Sequence, residues 1–207
     1  MSTHFLFCTA DMPASMLNDF MDQFRCFHSP DCPTFFCVVR TPDQTDFDEW
    51  GTELPISDFS TGFKNATDAE LRRFARQKIS ELRDVGKRGP LDSDWIAIMD
   101  ERSRRDGTVV MQFNKELSMW TQDLEDAEEP FEIPGDTDVS GDDIWWKWRV
   151  PFAGAVQVFN SVDNGDPVMI RLYSRPEYVG PDGVLNVDIP RKIIRGDIKD
   201  PINQEKS

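Results

Sequence analysis

The chain has 207 residues, 39 % hydrophobic and 11 % aromatic, which is enough for a buried core and too much for a disordered protein. Its formal net charge of −15 argues against a nucleic-acid binder, which needs a basic face, and against docking on anionic lipid. No run approaches the ~20 apolar residues of a membrane span, no basic region precedes Phe5-Leu6-Phe7, and four cysteines make no disulfide framework, so a soluble, cytoplasmic chain with reduced thiols is expected.

Residues 4–8 (HFLFC) read as a short buried strand. Asp11 and Pro13 then open a helix. Its Met16/Leu17, Phe20/Met21 and Phe24 recur at three- and four-residue spacing, and it stops before Pro30. Residues 34–40 (TFFCVVR) are a continuous apolar run, the pattern of a strand covered on both faces. This β-α-β opening predicts a parallel pair with a right-handed crossover.

Residues 41–63 form an irregular, Pro/Asp/Ser/Gly-rich connection. Thr67 and Glu70 make a capping box at the head of a second helix, whose apolar stripe is Leu71, Phe74, Ala75, Ile79 and Leu82. Its other face carries Arg72, Arg73, Arg76 and Arg83. Residues 94–99 (DWIAIM) and 108–113 (TVVMQF) read as strands joined by a polar hairpin link, ERSRRDG.

Residues 121–143 hold ten carboxylates and no Lys or Arg, −10 of the −15. Broken by Pro130, Pro134, Gly135 and Gly141, they read as an acidic flexible insertion. The blocks IWWKWRV, FAGAVQVF, VMIRLY and VLNVDI follow, several of them strand-like. The expected fold is α/β or α+β: an N-terminal β-α-β, a mixed sheet, two main helices and a strand-rich C-terminal third. One domain spans 1–190, and 191–207 is a fraying polar tail.

Cys26, His28, Cys32 and Cys37 place four soft ligands within twelve residues, but C-x-H-x₃-C-x₄-C is no standard zinc spacing, and buried structural cysteines are the favoured reading. Asp136-x-Asp138-x-Ser140-Gly141-Asp142 matches the start of a calcium loop. Its twelfth position, Lys147, lacks the bidentate Glu, so a solvated turn is favoured and neither metal nor cofactor is assigned. With two histidines and no nucleophile elbow or phosphate loop, nucleophilic catalysis has no signature.

Asp43, Asp46, Asp48 and Glu49 beside Trp50 would sit at the C-terminal edge of the parallel strands, where ligands of open α/β sheets bind. Trp146 and Trp148 share one strand face, and Trp145 shares the other with Lys147 and Arg149. The basic helix face could receive the acidic segment.

Three pieces, FFCVVRT with DFDEW (35–50), DWIAIMDERSRRDGTVVM (94–111) and WRVPFAGAVQVFNSVDNGD (148–166), resemble in this order a small, uncharacterised microbial domain family of unknown function. That resemblance implies a compact α/β domain and transfers no active site. The expected function is a non-enzymatic binding or regulatory protein. Its contact surface would join Asp136, Asp138 and Asp142 to Trp145, Trp148 and Trp50, for a basic protein partner. The alternative is a cofactor-independent enzyme on a small molecule, with an aromatic pocket and a carboxylate such as Asp46 or Asp48 as acid or base.

Overall fold

The computed structural model describes residues 2–24, 34–48, 50–87, 89–125, 133 and 137–201. Their frame is a six-stranded mixed sheet in the order β2-β1-β3-β4-β6-β5. The β-α-β opening is as read: β1 (Thr3–Cys8), α1 (Ala14–Gln23) and β2 (Phe36–Val39). β1 pairs in parallel with β2, Phe5 opposite Cys37, and on its other side in parallel with β3 (Leu91–Met99). Every residue of β1 is buried, which is why its sequence shows no alternation.

β3 and β4 (Thr108–Glu116) are antiparallel. The link between them holds a turn of helix, α3 (Ser103–Asp106), closed by Gly107 at φ +65°. β6 (Asp143–Pro151) pairs antiparallel with β4 along nine residues, and β5 (Asp138–Ser140) adds a short edge beyond it.

Alternation sorts the strands' side chains between two layers. One face carries Leu6, Phe36, Trp95, Met111, Trp146 and Trp148, and packs under α1, α4 (Leu117–Glu125), α5 (Phe152–Val162) and α6 (Pro167–Tyr173). The other carries Phe5, Phe7, Val39, Ile98, Val110 and Trp145 against α2 (Asp68–Asp84). The capping box of α2 is formed: Thr67 Oγ1 accepts from Glu70 N, and Glu70 Oε2 accepts from Thr67 N at 2.8 Å.

The C-terminal third opens with strands, but FAGAVQVF and VMIRLY are the helices α5 and α6. Phe152, Ala155, Val158, Phe159 and Val162 are all buried, a helical spacing that a short apolar run conceals. Asp166 caps α6 with Pro167 at its first position, a helix-start signal. α7 (Asp188–Ile194) crosses residue 190, and Arg175 Nη1 donates to both oxygens of Asp200 at 2.6 and 2.7 Å. The chain through residue 201 therefore belongs to the fold, while 202–207 lie outside the described residues.

The connection after β2 folds back along that strand's outer edge. Gln44 Nε2 donates to Val38 O at 3.2 Å, Val38 N to Thr52 Oγ1 at 2.9 Å, and Thr52 N to Phe36 O at 2.8 Å. Edge strands expose unpaired backbone groups, and this loop satisfies them. Trp50 consequently lies toward the start of β2 rather than at the C-terminal edge of the parallel strands.

Candidate functional site

The expected contact surface is not assembled. Trp145 and Trp148 are 3 % and 5 % exposed, core residues of opposite faces; Trp50 alone of the three is exposed, at 59 %. Trp50 belongs to the β2 edge and Trp145 to β6, four strand spacings or roughly 19 Å apart.

Asp142 accepts from Ser118 N at 3.1 Å and Ser118 Oγ at 3.2 Å, holding the first turn of α4. Asp138 pairs with Arg72. Asp136 lies outside the described residues, as do Cys26, His28 and Cys32. Cys37 is buried in β2, its Sγ donating to Asp48 O at 3.2 Å, and burial pushes its thiol up to about 12. Cys8 is raised to about 12 for the same reason, so neither thiol is a nucleophile near neutral pH. Among the described residues no group of three His, Cys, Asp or Glu could hold a metal.

The acidic segment and the basic helix do meet, at the segment's end. α2 packs on β3 and its arginine side chains reach across to β4 and β6, where four helical residues rise about 6.0 Å and two strand residues about 6.6 Å. Arg72 and Arg76 on α2 therefore match Gln112 and Asn114 on β4. Arg72 Nε donates to Gln112 Oε1 at 2.7 Å, and Arg76 Nη2 to Asn114 Oδ1 at 3.2 Å. Each guanidinium also holds a carboxylate from the acidic segment, Asp138 for Arg72 and Asp143 for Arg76. One turn earlier Asp68 pairs with Lys147, which sits opposite Gln112.

Both guanidiniums lie over the Trp145 ring, Arg72 at 4.8 Å and Arg76 at 5.4 Å from its centroid. Trp145 is thus the tryptophan that covers the second face beside the cations, and the cations shield it from solvent. Cation–π contact adds to the ion pairs in fixing the two side chains.

Above this array, between α2 and the β5–β6 hairpin, opens a cleft of about 640 Å³. Its walls include Arg72, Arg73, Arg76, Asp138, Ser140 and Asp143. Arg73 is exposed at the lip. A guanidinium has five N–H donors; the contacts above use two of each arginine, the buried Arg72 and the part-exposed Arg76, and the cleft is open beside the rest. Asp163, whose pKa is raised by burial and by nearby Asp92, accepts from Trp95 Nε1 at 3.0 Å at the far end of α5 and does not line this cleft.

The amides were the missed part of the site. Gln112 is wholly buried between Met111 and Phe113, and its Nε2 has no partner among the described residues. Arginines four apart on a helix and amides two apart on a strand form a matched spacing, visible in sequence only once α2 and β4 are known to face each other. The site is an arginine pair bedded on a tryptophan in a three-layer α/β fold. Compared with protein-family models, curated proteins and solved structures, the chain gives no match.

Proposed function

We propose that this protein is a non-enzymatic binding protein and that the cleft between α2 and β5–β6 is its ligand site, reading an anionic group. The observation that carries this is the pinning of Arg72 and Arg76 by Gln112, Asn114 and Trp145 beside a cleft of about 640 Å³, with Arg73 at its lip. Arginine is suited to the work: its planar fork loses little freedom on binding when it is held beforehand. A basic partner is less well served, because Asp138 and Asp143 already face arginines and Asp142 holds α4. At −15 the molecule as a whole repels polyanions, which favours a compact ligand with one or two charges.

Calorimetric titration of the full chain with inorganic phosphate, succinate and a basic hexapeptide tests the reading. Saturable binding of phosphate or succinate, weakened about fivefold by Arg73→Ala, is expected. Binding of the hexapeptide alone would return the proposal to the acidic segment.

A further inference from the structure

We infer that the ligand's anionic group is a carboxylate or phosphate that takes the place of the Asp138 carboxylate on Arg72, so that β5 carries a built-in competitor for the site. This rests on the reading of the cleft as an anion site and names what regulates it.

The two acids at the cleft differ in how firmly they are held. Asp143 is part of β6, which is bonded to β4 along its length, and its side chain is 25 % exposed. Asp138 is on β5, a three-residue edge strand with every residue exposed and one neighbour, and its side chain is 59 % exposed. Its partner Arg72 is 9 % exposed and is fixed by Gln112 and Trp145. The cation is the permanent half of this pair and the carboxylate the replaceable half.

A buried guanidinium without an anion is costly, so this position calls for an acceptor at all times. The chain's own carboxylate fills that place through one oxygen, which accepts from Arg72 Nη1, and it shows which chemistry fits: a charged oxygen acceptor, as a carboxylate or a phosphate presents. A pair whose acid is mostly in water is weak, so an incoming anion of similar geometry meets modest competition. Ser140, on the same short strand, adds a hydroxyl to the wall where the replacement would sit.

The test is calorimetric titration of the full chain with inorganic phosphate and, separately, succinate. The proteins are the unchanged chain, Asp138→Asn, and Asp188→Asn as a control that removes one exposed negative charge on α7. Asp138→Asn keeps an acceptor on Arg72 but gives up the charge. It is expected to bind at least one of the two anions about fivefold more tightly, while Asp188→Asn matches the unchanged chain. The anion that gains more identifies the favoured group. Equal or weaker binding by Asp138→Asn, with Arg73→Ala still weakening the same anion, overturns the competitor and leaves the cleft reading intact. An equal gain in both Asp variants also overturns it, by assigning the effect to net charge. No binding of either anion by any of the proteins removes the cleft reading and this inference with it.

Discussion

Arg72 and Arg73 are neighbours in sequence with opposite burdens. Arg72 is buried, and its loss leaves both polar atoms of the Gln112 amide without a partner among the described residues and Trp145 covered by Arg76 alone. Arg72→Ala should cost about 2–3 kcal/mol in urea unfolding, and Arg73→Ala should stay within about 0.5 kcal/mol. His4 gives the chain a pH signature. Burial beside Phe36 and Phe159 lowers its pKa to about 4, below the 6.5 of the unfolded chain. The unfolded state then binds the extra proton, so stability from this group is present above about pH 6.5 and is lost as pH falls toward 4. His4→Phe should flatten that part of a stability–pH curve, by about 3 kcal/mol at most. Alternation alone told which tryptophans share a face. It could not tell that Trp145 is roofed, because the roof comes from α2, some seventy residues earlier in the chain.

Among the elements, α2 was the most legible, since its cap, stripe and polar face are all local signals. α5 and α6 were the least, because short apolar runs of seven to eleven residues fit strand and helix alike. Gly154 shows how closely α5 is packed. A Cβ built there would meet Val187 Cγ2 at 2.7 Å, so the usual helical gain of alanine over glycine is reversed. Gly154→Ala is expected to cost about 1–2 kcal/mol of stability, read as a lower thermal midpoint, and pairing it with Val187→Ala should restore part of the loss. The ends of the acidic segment were misread for a related reason. Residues 121–125 continue α4 and 138–140 form β5, elements that need the sheet beside them to form.

For the whole molecule, composition and the opening β-α-β set the α/β class, but the strand order needed contacts that no local pattern carries. The C-terminal closure is one of these. Arg175 grips Asp200 through two oxygens and also donates to Tyr178 Oη at 3.0 Å, with both partners of the pair mostly buried. Ending the chain after Asp197 should therefore cost about 2–3 kcal/mol, measured as a lower urea midpoint with little change in slope. An unchanged midpoint would make the closure ornamental.

The place of β1 in the sheet also decides when the molecule can assemble. It is synthesised before either neighbour, yet it lies between β2 and β3 and needs residues 36–39 and 91–99 on its two sides. During translation the apolar segment Phe5–Cys8 is therefore kept waiting, with half its backbone groups unmatched, until residues 91–99 have left the ribosome. In that interval β1 is open to misassociation, and chaperone capture of this segment should fall off sharply once β3 has emerged.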